Sequence, residues 1–362
     1  MNDNILILAQ PVRSGKTSQL MRWTYGNEEE IRGVITPDFS GKRILVDAFS
    51  SNTYSFEIED DSLSFKIGNF KLSKVTFSVA ENILSDAMAS NCDWIVIDEI
   101  GKLELFQNTG FEPCASKIIA HFLKTDTAGK KLLLVVRDSL LQEAISHYKL
   151  QNVRVIGAKD LIIPPKKRTG IVLCGGKSSR MKQDKSMLIY HSKPQRYHVY
   201  DLLKKYCSEV FISVNDVSQV VESDGYSYLI DDKKNIGPVA GLIRACKANP
   251  KTDVIIVGCD YPHLNDEMLK KLIQSNDESF LASAFFNSTE NCYEPLLAIY
   301  KSECLPFLNY SVENNQNSLQ KFLNAVNAHK VYPSSNQQIK SVDIIEEFMS
   351  VNEKIKKGGR SN

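Results

Sequence analysis

The chain has 362 residues, 43% of them hydrophobic and 24% charged, with a formal net charge of +1. That is too long for one ordinary core and suits two domains of globular composition. The near-neutral balance excludes a global basic field for nucleic acid or an anionic membrane, and no apolar run reaches the roughly 20 residues that span a bilayer. The opening Met1-Asn2-Asp3-Asn4 has no basic start of a secretory signal. The eight cysteines and six histidines are scattered without zinc spacing, so reduced cysteines serving as small hydrophobes in a cytoplasmic protein are expected.

The first apolar run, Ile5–Ala9, leads into Gln10-Pro11-Val12-Arg13-Ser14-Gly15-Lys16-Thr17. This is the phosphate-loop pattern G-x-x-x-x-G-K-[ST] with Gln10 where the first glycine belongs. Gly15 opens the turn, Lys16 would reach the β- and γ-phosphates of a nucleotide, and Thr17 would ligate Mg²⁺. Short alternating runs between 43 and 73 predict antiparallel hairpins inserted into a mostly parallel sheet. Val79, Ile83, Leu84, Ala87 and Met88 recur at helical spacing. The buried-strand candidate Trp94–Ile97 ends in Asp98-Glu99. There Asp98 would organise Mg²⁺ and Glu99 would orient an attacking water. Leu132–Val136 and Val153–Ile156 complete the strands of this half, and Arg137 is either an aid to charge neutralisation or a partner in a surface salt bridge.

Pro164-Pro165-Lys166-Lys167-Arg168 reads as a stiff, solvated linker. The expected organisation is a domain over 1–160, a linker over 161–168, a second domain over 169–350 and a frayed polar tail over 351–362. Alternating strands and helices in both halves predict two three-layer α/β domains.

The second half opens on a strand and the string Leu173-Cys174-Gly175-Gly176-Lys177-Ser178-Ser179-Arg180-Met181-Lys182-Gln183-Asp184-Lys185. The glycines let backbone N–H groups approach a phosphate, and Arg180 and Lys185 suit a pyrophosphate leaving group. Asn215 follows the strand Val210–Val214, Asp231-Asp232 precede the turn Gly237-Pro238-Val239-Ala240-Gly241, and Asp260 ends the strand Asp253–Val257 within Cys259-Asp260-Tyr261-Pro262. Open α/β sheets bind ligands at the carboxyl ends of their strands. Asp260 would therefore share a crevice with the glycine loop and offer a carboxylate to Mg²⁺. Asn265 or Asp266 is better placed than Asp260 to cap the next helix. Phe280–Phe286 and Leu296–Tyr300 are the last strand candidates.

From about Gly170 to Asp343, the Gly-Gly…Arg-Met…Asp-Lys loop, strand-end Asn, Gly-Pro-x-Ala-Gly turn and Cys-Asp-x-Pro string resemble the MobA family, the molybdenum cofactor guanylyltransferases. The resemblance implies a Rossmann-like domain that transfers GMP from Mg-GTP to molybdopterin. It implies that Leu173, Gly175, Lys185, Asn215, Asp232 and Asp260 bind GTP, that Asp260 also holds Mg²⁺, and that Arg180 neutralises the phosphates. Molybdoenzymes or cofactor-delivery proteins would then be partners. Lys182 stands where the family usually has glycine, and the family's late Asn-x-Asn-Thr-Pro-Glu-Asp string is reduced to Lys340-Ser341-Val342-Asp343. Glu294-Pro295 matches only loosely. In the first half, Gly33-Val34-Ile35-Thr36-Pro37 and Ile97–Leu105 resemble a family of small P-loop nucleoside-triphosphatases first known from thermophiles, which implies slow hydrolysis with broad base tolerance. The readings that stand beside these are a cytidylyltransferase or other nucleotidyltransferase in the second half, and a nucleotide-gated adaptor module in the first.

Overall fold

The computed structural model describes residues 4–11, 14–27, 29–125, 127, 129–174, 185–221, 224–231, 236–342 and 345–358. The chain divides into two compact units, Met1–Pro165 and Lys166–Asn362.

The strands of the first unit are β1 (Ile5–Gln10), β2 (Ile31–Ile35), β3 (Asp38–Phe39), β4 (Lys42–Asp47), β5 (Thr53–Ser55), β6 (Ser64–Ile67), β7 (Phe70–Ser73), β8 (Trp94–Ile100), β9 (Lys131–Arg137) and β10 (Arg154–Ile156). Its helices are α1 (Lys16–Gly26), α2 (Lys74–Ala89), α3 (Lys102–Gln107), α4 (Cys114–Lys124) and α5 (Leu141–His147). The sheet runs β10-β1-β9-β8-β2-β4-β3, with β5 beside β4 and β6-β7 as a separate ribbon. The strands from β10 to β2 are parallel, and β3, β4 and β5 join them antiparallel. Parallel strands are buried on both faces, and the sequence obeys this. Ile5, Ile7, Ile95, Ile97, Leu132 and Leu134 share a core with α2 and α4, while Leu6, Leu8, Val96, Leu133 and Val135 are buried on the other face. Each such side chain contributes on the order of 2 kcal/mol. The predicted hairpins occur, but only β3–β5 extend the main sheet.

The second unit contains β11 (Arg168–Leu173), β12 (Glu209–Val214), β13 (Tyr228–Ile230), β14 (Asp253–Gly258), β15 (Ala282–Asn287), β16 (Cys292–Tyr300) and β17 (His329–Val331). Its helices are α6 (Gln195–Leu203), α7 (Val239–Ala248), α8 (Asp266–Gln274), α9 (Leu305–Glu313), α10 (Leu319–Ala325) and α11 (Ile345–Gly358). The order β13-β12-β11-β14-β16-β15-β17 is parallel from β13 to β14, and β16 turns antiparallel. The chain builds outward from β11 to β13 and then returns to place β14 on the other side of β11. The reversal puts a crevice at the carboxyl ends of β11 and β14, where such sheets take their ligands. Val172, Ile212, Ile255 and Val257 pack on α6 and α8 in one core.

Two boundaries differ from expectation. Lys166 is not solvated: its ammonium lies 2.5 Å from Glu303 and 3.7 Å from Asp253, with its side chain 9% exposed. Lys301, fully buried, meets the same Asp253 and also Glu278. Arg168 already belongs to β11. Residues 351–358 of the polar tail, expected to fray, belong to α11, whose Phe348 packs edge-to-face on Tyr190 at 5.0 Å. A polar composition concealed both, because the apolar contacts of α11 and the countercharges of Lys166 come from residues distant in sequence.

Candidate active sites

In the first unit, the carboxyl ends of β1, β9, β8 and β2 gather the chemistry. Gly15 caps α1 with φ +80, a left-handed conformation suited to glycine. Lys16, the first residue of α1, is 9% exposed, and Thr17 follows it in partial exposure. A helix N-terminus of this kind favours anions. Gln10 keeps a function despite replacing glycine. Its amide oxygen accepts a hydrogen bond from Ser14 Oγ at 3.2 Å, bridging the two ends of the loop.

Asp98 sits within the ladder of β8, opposite Val135, and is 1% exposed. Its carboxylate accepts hydrogen bonds from the Thr36 N–H at 2.9 Å and the Thr36 hydroxyl at 3.3 Å. Burial, reinforced by Glu99, pushes its pKa up to about 6, while Lys16 and Arg43 pull the other way. Glu99 faces two guanidinium groups, Arg137 at 2.5 Å and Arg43 at 3.0 Å. Burial raises its pKa, but the two arginines and Lys16 outweigh it and hold Glu99 below the usual range. Lys16, Asp98 and Glu99 thus lie within one another's fields. Arg137 is paired as one of its two readings allowed, although the pair is half-buried. Arg43 and Thr36 were not singled out as site residues. Arg43 comes from a hairpin insertion that carries no periodic signal for a site.

In the second unit, Leu173 ends β11 and Cys174 follows it, each 7% exposed. The Cys174 N–H donates to Ser213 O at 3.1 Å. Gly175, Gly176 and Arg180, with the rest of 175–184, lie outside the described residues, as do Asp232 and Asp343. Lys185 begins a short 3-10 turn, Lys185–Met187. Asn215 is exposed at the end of β12, its N–H held by Gln219 Oε1 at 3.0 Å. Asp231 is occupied structurally: it is buried and accepts from Ser213 Oγ at 2.7 Å.

Asp260 stands just past β14 and is partly exposed. A Cβ on Gly258 would lie 2.4 Å from Asp260 Oδ1, so the carboxylate folds back over a residue that must lack a side chain. As anticipated, the cap of α8 falls to Asn265, whose side chain accepts from the Met268 N–H at 3.0 Å. The Asp260 turn is braced from outside its own strand. Gln195 Nε2 donates to Tyr261 O at 3.1 Å, His191 Nε2 lies 2.9 Å from Pro262 O, and the Val342 N–H donates to Asp260 O at 2.8 Å. The shortened late string therefore still reaches the acidic turn.

Glu294, near the start of antiparallel β16, is the residue that motif reading undervalued. Its carboxylate accepts from the Tyr261 hydroxyl at 2.9 Å. Burial raises its pKa, with Glu290 and Asp260 adding like-charge repulsion. Glu294 thus lies within the field of Asp260, its carboxylate tied to the residue that follows Asp260 in the chain. Among the described residues no group of three or more His, Cys, Asp and Glu is placed to hold a metal, and no helix is long and apolar enough to cross a membrane.

This crevice, set at a topological switch point, matches a nucleotide-handling α/β domain. Residues 170–331, within the C-terminal unit, match the MobA-like NTP transferase domain. Among similar curated proteins, a molybdenum cofactor biosynthesis bifunctional protein of Synechocystis sp. is 28% identical over 51% of this chain. The chain spans about half the length of that relative, 53%. A probable molybdenum cofactor guanylyltransferase of Flavobacterium johnsoniae is 25% identical over 51% of this chain and 96% of its own length. A solved molybdopterin-guanine dinucleotide biosynthesis protein A from Archaeoglobus fulgidus aligns over 52% of this chain and 99% of its own, with 18% identity and a TM-score of 0.43.

Proposed function

We propose that the second unit transfers GMP from Mg-GTP to molybdopterin, giving the guanine dinucleotide cofactor and pyrophosphate, and that the first unit binds and slowly hydrolyses nucleoside triphosphate. The observation that carries the transferase reading is the convergence of Leu173, Asn215 and Asp260 at the carboxyl ends of the adjacent parallel strands β11, β12 and β14. The names of the Flavobacterium and Yersinia pseudotuberculosis relatives, both guanylyltransferases, support the choice of base.

The chemistry needs no general base. The terminal phosphate of molybdopterin is largely a dianion at neutral pH, its second pKa being about 6. One of its oxygens attacks the α-phosphorus of GTP, and the bond to the departing pyrophosphate breaks. Lys185 and Arg180 are proposed to neutralise the leaving group, and the backbone N–H groups of Gly175 and Gly176 to hold the phosphates in line. Asp260 and Glu294 would hold Mg²⁺, which when bound supplies charge neutralisation at the phosphates. Asp232 and Asn215 are proposed to position the nucleoside.

In the first unit, Gly15, Lys16 and Thr17 are proposed to cradle the β- and γ-phosphates, with Thr17 and Asp98 on Mg²⁺ and Glu99 orienting water. A second reading draws on the clamp around Glu99. A carboxylate held by two arginines is a weak base, and this favours a nucleotide-gated adaptor module that turns over little.

The test is mass spectrometry of the product formed by the whole chain from molybdopterin, Mg²⁺ and an equimolar mixture of the four NTPs. The guanine dinucleotide should dominate. A dominant cytosine dinucleotide would refute the guanylyl assignment.

A further inference from the structure

The first unit holds a cavity of about 330 Å³ that shares Glu99 with the proposed NTP site and otherwise extends beyond it. It opens between the carboxyl end of β8, the start of α3 and the β6–β7 ribbon. Phe56, Phe77 and Phe111 form an aromatic floor, with Phe77 edge-to-face on Phe56 at 4.8 Å and on Phe111 at 5.0 Å. Phe70, on the ribbon, supplies a wall and is 47% exposed.

Arg43 and Arg137 line the same cavity beside Glu99. Each guanidinium meets Glu99 through one nitrogen, so the mouth presents further N–H donors. Arg43 also keeps donor capacity. Its Nε is buried without a hydrogen bond, 3.6 Å from the exposed Asp38. Fork-shaped guanidinium donors suit phosphate oxygens, and an aromatic floor suits a flat ring. A cavity of this size, mostly apolar with a few convergent polar groups, has the character of a small-molecule site.

We propose that this cavity is a second ligand site, distinct from the phosphate loop, that takes a planar heteroaromatic phosphomonoester with its ring on the phenylalanine floor and its phosphate on Arg43 and Arg137. Two sources share that chemistry: a purine nucleoside monophosphate and a pterin phosphate. The site lies beside the proposed γ-phosphate position, but binding is measured without triphosphate, so its outcome does not depend on whether the first unit hydrolyses NTP.

The experiment is calorimetric titration of the full chain, without NTP, with GMP, guanosine, neopterin monophosphate and neopterin in separate arms. One of the two phosphates should saturate a site at concentrations up to about 1 mM, and whichever binds identifies the source. Phe70→Ala should weaken that site up to about tenfold, as loss of one aromatic contact would. Phe70 lies on an exposed ribbon, so this variant is expected to fold. Arg43→Ala should erase the preference for GMP over guanosine or, in the pterin arm, for neopterin monophosphate over neopterin. Lys16→Ala should leave the binding unchanged. The proposal is overturned if neither phosphate binds. It is equally overturned if the isotherm survives Phe70→Ala combined with Arg43→Ala, which would assign the binding elsewhere, or if Lys16→Ala removes it, which would place the ligand on the phosphate loop.

Discussion

In the first unit the strand-end acid lies inside the ladder, whereas in the second it stands beyond it. Asp98 pairs across to Val135 and is 1% exposed. Asp260 follows the last ladder residue of β14 and is partly exposed. The spacing from loop to acid differs too: β9 separates β1 from β8, but β11 and β14 are direct neighbours. A strand of separation is about 4.8 Å. The first arrangement therefore offsets its acid from the strand that leads into the loop by one strand more than the second does. Depth also decides electrostatics. The buried acid titrates near 6 and borrows its hydrogen bonds from Thr36, while the shallow one shares its field with Glu294.

The largest effect expected from breaking this comparison is at the shallow acid. Asp260→Ala should reduce nucleotidyl transfer about a thousandfold or more, since several kcal/mol of metal-mediated charge stabilisation depend on it. NTP hydrolysis should stay within twofold of wild type. Pyrophosphate release and phosphate release, measured on one preparation with an unchanged circular dichroism spectrum, check both. Transfer at a near-normal rate under limiting Mg²⁺ would remove Asp260 from the metal.

Next in size is a stability effect confined to the second unit. Lys166 neutralises Glu303 and Asp253 in a buried cluster. Lys166→Ala leaves buried Glu303 without that countercharge, Asp253 keeping Lys301, and should cost about 3–5 kcal/mol. Denaturant melts followed by limited proteolysis should show the second unit unfolding early and the first unmoved. Equal loss in both would show that the two cores are not independent.

The depth of each acid was only partly legible in the sequence. The strands were visible because Ile5–Ala9, Trp94–Ile97 and Val254–Val257 are continuous apolar runs, the pattern of a doubly covered parallel sheet. The strand-end acids were visible because a carboxylate directly after such a run must sit where the strand leaves the core, at the edge that faces the ligand crevice. Short β13 and β17 went unseen, each having three residues beside polar neighbours. Arg43 and Glu294 were illegible as site residues because each arrives on an antiparallel strand from another part of the chain, and pairing across strands leaves no local spacing to read. Lys166 was misread for the same reason: its partners Asp253 and Glu303 lie far along the chain, and a basic residue beside two prolines resembles a linker until they are known.

A smaller effect than the Lys166 change tests whether the units act separately. Lys16→Ala should lower NTP hydrolysis about a hundredfold, as removal of a preorganised charge contact does, and spare transfer at saturating GTP. A tenfold or greater loss of transfer in the folded variant would instead reveal a coupling free energy between the sites.

The smallest effect follows from the titration of Asp98, which burial, aided by Glu99, raises to about 6. Its folded pKa lies above the unfolded value of 3.8. Ionised Asp98 therefore costs stability above pH 6 when no metal is bound, and that cost fades as the pH falls through 6 and is gone below 3.8. Metal binding needs the ionised form, so Mg²⁺ and the proton compete for it. At pH 5 roughly a tenth of Asp98 is ionised, and the Mg²⁺ affinity of the first site should be about tenfold lower than at pH 7. Calorimetry in the Asp260→Ala background isolates that site, and titrations in two buffers of different ionisation enthalpy should show close to one proton released per Mg²⁺ at pH 5. Asp98→Asn should abolish both the tight binding and the proton release. A Mg²⁺ affinity that stayed flat between pH 5 and 7 would mean that Asp98 does not bind the ion, leaving the buried carboxylate as a brace for Thr36 and the deep acid of the first unit without the role proposed for its counterpart in the second.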